Sequence, residues 1–142
     1  MKVEKFEDLT IFQKARTLCK EVYAITRVGE FKHDSRFVQQ IRAASGSVMD
    51  NIAEGFERDG NKEFIQFLYI AKGSCGEVRS QVTRAYDVGF INEVKFRELQ
   101  EACFTLSRGI ANFIRSLQAS DIKGQKYLKP SETIETTETS KI

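Results

Sequence analysis

The chain has 142 residues, of which 41% are hydrophobic, and its 22 basic and 20 acidic side chains leave a formal charge of +2. These values predict one domain, or one domain with a tail, and exclude a collagen-like or wholly disordered chain. No segment resembles a membrane span or a secretory signal. Because Pro130 is the only proline, long uninterrupted helices are permitted before it.

The first two predicted elements are amphipathic helices, since their apolar residues recur at steps of three and four. The first helix is expected at about residues 9–28, with a stripe made of Ile11, Ala15, Leu18, Val22 and Ile25. The second begins after an N-cap at Asp34 or Ser35 and ends at Gly55. Its stripe consists of Val38, Ile41, Ser45, Val48 and Ile52.

Two further helices follow the same spacing. The third begins at Asn61 and ends at Gly89, and its stripe consists of Phe64, Leu68, Ala71, Cys75, Val78, Val82 and Ala85. The fourth has Asn92 as its N-cap and the stripe Leu99, Cys103, Leu106, Ile110, Phe113 and Leu117. The mean step of 3.5 and the short connections predict an all-α, antiparallel up-down-up-down four-helix bundle over residues 1–118.

After residue 118 the periodicity stops and a polar segment begins. Such a segment cannot bury enough apolar surface to fix its own backbone. We therefore expect residues 119–142 to form a solvated tail, with docking on a partner or a neighbouring subunit as the alternative. Its three central lysines, Lys123, Lys126 and Lys129, together with Lys141, are offset by Asp121 and by Glu132, Glu135 and Glu138.

Residues that could carry catalysis or bind a metal are scarce. His33 is the only histidine, which excludes the paired Glu-x-x-His motifs of a di-metal bundle. The cysteines lack zinc-ligand spacing, and nothing obvious would orient His33 toward a cysteine nucleophile. Gly73 and Gly76 have neither the Gly-Lys-Ser/Thr string nor the preceding strand of a phosphate loop. We expect no enzymatic activity, no cofactor and no metal.

The three cysteines are far apart in the sequence. Cys19, Cys75 and Cys103 each lie in an apolar stripe, which is typical of buried free thiols. An odd cysteine count also favours this interpretation over a disulfide or a metal cluster. Free thiols agree with a cytoplasmic location and with the absence of a membrane partner.

The middle of the third helix has little side-chain bulk. Gly73 and Gly76 each cost about 1 kcal/mol relative to alanine in a helix interior. We expect them to allow another helix of the same bundle to approach closely; a ligand pocket is the alternative. Apolar residues outside the core stripe predict a surface covered by another subunit, with a thicker core as the alternative. This predicted oligomer interface contains Ile65, Phe67, Tyr69, Ile70 and Gly76.

Polar residues cluster near the end of the second helix. Asn51 and Glu54 flank the core stripe and could point into the bundle or an interface. Alternatively, they belong to a network that orders the turn into the third helix. Glu54 and Arg58 are four residues apart in the favourable order for a helical ion pair.

Several strings of the sequence resemble the 23S rRNA intervening-sequence protein family, also called the S23 family. The likeness spans about residues 5–118 and includes Gln40–Ser45 and the Asn-Ile-Ala-Glu-Gly string at 51–55. Many relatives have a proline just before that string, where this chain has Met49 and Asp50. The motif positions that carry the likeness include Arg42, Asn51, Glu54, Gly55, Arg58, Gly73, Ser74 and Glu77.

The resemblance implies a fold and an assembly more than an activity. Members of the family are antiparallel four-helix bundles that form homopentameric rings with a central channel. Distantly related proteins, the accessory variability determinants of diversity-generating retroelements, bind nucleic acid and a reverse transcriptase. We therefore expect a non-catalytic, self-assembling scaffold or adaptor. The alternative is an RNA- or DNA-binding accessory protein that works with a reverse transcriptase or another nucleic-acid enzyme.

Basic residues outside the core stripes are the candidates for nucleic-acid contacts. A charge of +2 per chain gives a weak overall field, so a local patch repeated around a ring would have to supply the attraction. Simple solvation of each helix exterior is the alternative. The candidates are Arg42, Arg58, Lys62, Lys72, Arg79 and Arg84.

Overall fold

The computed structural model describes residues 3–122, and every regular element in this range is helical. The all-α four-helix fold predicted from the sequence is confirmed. Helix α4 extends past residue 118, and the rest of the predicted tail lies outside the described residues. The helices are α1 (Thr10–Thr26), α2 (Ser35–Glu57), α3 (Asn61–Asp87) and α4 (Glu93–Ile122), with short 3-10 turns at Phe6–Asp8 and Phe31–His33.

Each helix packs against the next one in the chain, and α1 also packs against α4. Arg42 near the start of α2 donates from Nε to Thr26 Oγ1 at the end of α1, at 2.9 Å. Asn61 at the start of α3 donates from Nδ2 to Asp121 Oδ1 near the end of α4, at 3.2 Å. Such contacts, which join the start of one helix to the end of another, are those of antiparallel neighbours.

The core follows the predicted stripes with one local change. All stripe residues of α1, α3 and α4 are buried, whereas Val38 of α2 is only half-buried and Phe37 is buried instead. The Phe37 ring lies 4.8 Å from that of Phe31, which in turn stacks on Phe90 at 4.9 Å. This aromatic cluster closes one end of the bundle and turns the first residues of α2 toward it.

The predicted N-caps are present at two helices. Phe37 N donates to Asp34 Oδ1 at 3.2 Å, which selects Asp34 over Ser35 as the cap of α2. Lys95 N donates to Asn92 Oδ1 at 2.8 Å at the start of α4. Both caps satisfy backbone donors that the first helical turn leaves unpaired.

Gly55 does not end α2, so that prediction is wrong. The helix continues to Glu57, and the chain turns at Gly60, whose φ of +90° favours glycine. A Cβ on Gly55 would lie 2.7 Å from Phe67 Cβ and 2.9 Å from Phe64 Cδ1. Glycine is therefore present because α2 and α3 touch at this point, and not because a helix terminates there.

Candidate assembly surface

The seam between α2 and α3 contains a small polar network. Ser47 Oγ and Ser74 Oγ lie 2.8 Å apart, and Asn51 Nδ2 donates to Ser47 O at 2.8 Å and to Ser47 Oγ at 3.0 Å. All three residues are half-buried. The network joins the two helices and gives the hydroxyl groups of Ser47 and Ser74 a partner.

Glu54, Gly55 and Arg58 lie where α2 approaches the start of α3. Arg58 contacts Glu54 Oε2 at 3.2 Å and Glu63 Oε1 at 3.7 Å, and its guanidinium lies 5.0 Å from the centre of the Phe67 ring. Because these charged side chains are about half exposed, their pairing contributes little to stability. The contacts order the turn between the two helices.

Arg42, another of the predicted motif residues, lies apart from this group. Its guanidinium stacks over the Tyr23 ring of α1 at 4.4 Å while its Nε binds Thr26. Glu77 accepts a bond from Gln81 Nε2 at 3.4 Å on the α2–α3 side of α3. The motif residues therefore form several separate contacts, some between helices and some within one helix, and are not gathered at one place.

Gly73 and Gly76 lie on the outside of α3. Both are exposed, and a Cβ built on either one meets nothing within 4 Å. The expectation that they admit another helix of the same bundle is therefore wrong. The helical rotation of 100° per residue explains the result for Gly73, because two residues in either direction place it about 160° around the helix from Ala71 and Cys75, which are buried.

The predicted oligomer interface divides into two parts. Ile65 and Phe67 are half-buried, and Ile65 packs against the core of its own chain. Tyr69 and Ile70 are 55% and 52% exposed and lie within two turns of the two bare glycines. We call the exposed part, Tyr69, Ile70, Gly73 and Gly76, the α3 ridge.

Of the six predicted nucleic-acid contacts, the four arginines stack on aromatic rings and, in the described part of the chain, the two lysines do not. Arg42, Arg58 and Arg84 stack on aromatic rings of neighbouring elements, Arg84 over Phe37 at 4.1 Å. Lys62 and Lys72 lie on α3 without an ion pair among residues 3–122. Arg79 covers the ring of Phe104, a residue of α4, at 4.0 Å.

Two arginines that the sequence reasoning missed lie on α4 beside the contact between Arg79 and Phe104. Arg108 and Arg115 are seven residues apart and therefore share one face of α4. Phe104, one turn before Arg108, is 37% exposed. The spacing of Phe104, Arg108 and Arg115 by four and seven residues was the available signal. It places the three side chains on one face of α4 but does not show that Arg79 of α3 lies beside them. We call Arg79, Arg108 and Arg115 around Phe104 the arginine face.

The cysteines occupy structural positions. All three are free; Cys75 and Cys103 are buried, and Cys19 is half-buried. Cys75 Sγ donates to Cys103 O at 3.3 Å. The side-chain hydrogen bond with Cys75, together with burial, raises the pKa of the Cys103 thiol, which keeps it protonated.

Residues 3–122 contain no group of three His, Cys, Asp or Glu side chains placed to hold a metal ion. In that same range, no helix combines the length and the apolar character needed to cross a membrane.

Comparison with known proteins supplies one finding. A model of the family described as 23S rRNA-intervening sequence protein matches residues 7–112. The match extends from the turn before α1 to the second half of α4, and it includes the seam, the α3 ridge and Arg108. No curated protein matches the sequence.

Proposed function

The chain belongs to the 23S rRNA-intervening sequence protein family, and we propose that it is a non-catalytic scaffold or adaptor that assembles from several copies of itself. The partners of such a protein are, first, other copies of the same chain. The proposal concerns the α3 ridge, because this is where the folded chain leaves apolar surface and bare backbone uncovered.

The observation that carries the proposal is the exposure of Gly73 and Gly76 in the interior of a helix. Each glycine costs about 1 kcal/mol relative to alanine, and no neighbour in the described chain requires either one. Bare helical backbone allows a second helix to approach closely, and Tyr69 and Ile70 supply apolar area beside it. A helix from another copy would use both features at once.

We propose a homopentameric ring as the form of this assembly. The ring size is supported by the resemblance to the family, since the ridge alone does not set a number. A ring requires a head-to-tail contact in which the ridge of one copy meets a different surface of the next. This arrangement repeats every exposed patch around the ring.

The ridge can be tested by adding bulk to it. Gly73→Leu and Gly76→Leu have open space in the single chain, so both variants should fold, while an assembly through the ridge should lose about tenfold or more in affinity. Gly46→Leu is the matched control, because Gly46 also lies inside a helix with nothing within 4 Å of a Cβ. Analytical ultracentrifugation would measure the association. Equal association of all three variants would exclude the ridge as the contact.

A second candidate function is nucleic-acid binding, and the arginine face favours it. Arg79, Arg108 and Arg115 lie near Lys72 with an exposed aromatic ring among them, a combination that suits phosphates and stacked bases. Here the chain would act as an accessory protein for a reverse transcriptase or another nucleic-acid enzyme. Binding to RNA and DNA should weaken steeply as salt rises, and absence of binding even at low salt would remove this candidate.

A further inference from the structure

The arginine face has no acidic partner among residues 3–122. The ion pairs of this range use Arg58, Lys95 and Arg97, and none uses Arg79, Arg108 or Arg115. Glu101, the acidic residue closest to Arg108 along α4, accepts from Thr105 Oγ1 at 3.5 Å and makes no ion pair in this range. Three positive charges are therefore left uncompensated on one side of the bundle.

Hydrogen-bond donors are also left over at this place. Arg108 Nε and Asn112 Nδ2 are buried, and neither has an acceptor among the described residues. The other amide atom of Asn112, Oδ1, already accepts from Arg115. The surface around these buried donors presents an excess of positive charge, which is suited to carboxylates.

We propose that the arginine face binds the acidic end of the chain's own tail, the segment 131–139 that carries Glu132, Glu135 and Glu138. This contact is within one chain and does not depend on self-assembly. Carboxylates pair with guanidinium groups in preference to neutral acceptors, because charge-assisted hydrogen bonds are stronger. The segment has three carboxylates and no basic residue, and the face has three arginines.

The length of the tail and the point where it begins agree with this contact. Arg115 precedes Ile122 by seven residues, and Arg108 precedes it by fourteen, which places them roughly 10 and 21 Å back along α4 at 1.5 Å per residue. The nine residues 123–131 can span up to about 30 Å when extended. The chain can therefore leave the end of α4, reverse its direction and reach both arginines.

The spacing of the charges also agrees. Arg108 and Arg115 are separated by about 10 Å along the helix axis. Glu132 and Glu135 would be about 9 Å apart, and on the same side of the chain, in a polyproline II conformation, which has three residues per turn. Adjacent carboxylates can therefore pair with the two α4 arginines, while Lys123, Lys126 and Lys129 remain in the connecting part, away from the face.

A contact between exposed charges within one chain is weak and sensitive to salt. An external polyanion would compete with the three carboxylates for the same arginines.

The test compares the full chain with a triple variant, Glu132→Gln, Glu135→Gln and Glu138→Gln. In low salt, the NMR signals of the Arg108 and Arg115 Nε–H groups should shift in the variant and exchange with solvent roughly three- to tenfold faster, the scale of a few exposed ion pairs. The control variant removes the same charge elsewhere, by Glu7→Gln, Glu30→Gln and Glu57→Gln, and should leave these signals in place. High salt should make the wild type resemble the triple variant.

A second measurement uses a single-stranded oligothymidine as the polyanion probe. Its affinity should rise roughly three- to tenfold more in the tail variant than in the control variant, since both gain the same net charge. In a background with Arg108→Gln and Arg115→Gln this difference should disappear. Persistence of the difference in that background would overturn the proposal.

Two results of the NMR comparison would also overturn it. The first is that the arginine signals of the wild type and the triple variant coincide at low salt. The second is that the shift is lost on dilution, which would assign the carboxylates to another copy of the chain. A shift that is independent of concentration supports the contact within one chain.

Discussion

The α2–α3 seam and the α3 ridge both contain glycine inside a helix, but the surroundings of these glycines are opposite. Gly55 in the seam is buried, and even one added carbon would collide with Phe67 and Phe64. Gly73 and Gly76 on the ridge face open space. In the seam the close approach that glycine permits is made by α3 of the same chain, whereas on the ridge we propose that another copy of the chain makes it.

The largest expected difference between the two regions is in the free energy of unfolding when an aromatic side chain is truncated to alanine. Phe64→Ala in the seam should lower the free energy of unfolding by about 3–5 kcal/mol, because Phe64 is fully buried and its ring meets those of Phe56 and Phe113. Tyr69→Ala on the ridge, measured in dilute protein, should change it by less than about 0.5 kcal/mol. Urea denaturation checks both values, and equal losses would remove the distinction.

The next effect concerns Gly55 itself. Gly55→Ala should destabilise the chain by about 1–3 kcal/mol, because the new Cβ would lie 2.7 Å from Phe67 Cβ, an atom that can move only with the α3 backbone. The better helix propensity of alanine offsets only part of this loss. Thermal or urea unfolding measures the change. An unchanged stability would show that α2 and α3 are farther apart at this point.

A smaller effect is expected from the polar network of the seam. Ser74→Ala removes the partner of Ser47 Oγ, a hydroxyl that also accepts from Asn51, and should cost about 0.5–1.5 kcal/mol. Ser80→Ala is the matched control, since Ser80 is an exposed serine of the same helix. Its change should lie within about 0.5 kcal/mol of zero. A loss of equal size in both variants would indicate helix propensity and not the hydrogen bond.

The smallest expected effect has the opposite sign. Gly73→Ala should raise the stability of the single chain by about 0.5–1 kcal/mol, because alanine favours the helix and its Cβ meets nothing. Urea denaturation in dilute protein, where association is suppressed, isolates this gain. A net loss would place an unseen neighbour against Gly73 within the same chain.

Much of the fold was predictable because the apolar residues recur with the helical period. The stripe of α3, from Phe64 to Ala85, is buried throughout, and its spacing alone identifies the inner face. The exchange of Val38 for Phe37 was not predictable in this way. It depends on Phe31 in the α1–α2 connection and Phe90 in the α3–α4 connection, which meet only after folding.

The candidate site was less predictable, for reasons that differ between residues. The outward position of Gly73 follows from its two-residue offset from the buried Ala71 and Cys75, so it could be predicted from the sequence. The cost of glycine in a helix instead suggested that Gly73 faces another helix of the same bundle. The roles of Arg42 and Arg58 depend on partners in α1 and α3. Arg79 of α3 and Phe104 of α4 lie on different helices, so their contact could be identified only from the structure.

The most direct test of the central proposal is the molar mass of the wild-type chain in solution, measured by multi-angle light scattering at micromolar concentration. Assembly through the α3 ridge predicts a single species whose mass is a multiple of the 16.2 kDa chain, and the proposed ring predicts five times that mass. A monodisperse species of 16.2 kDa at every concentration would contradict self-assembly.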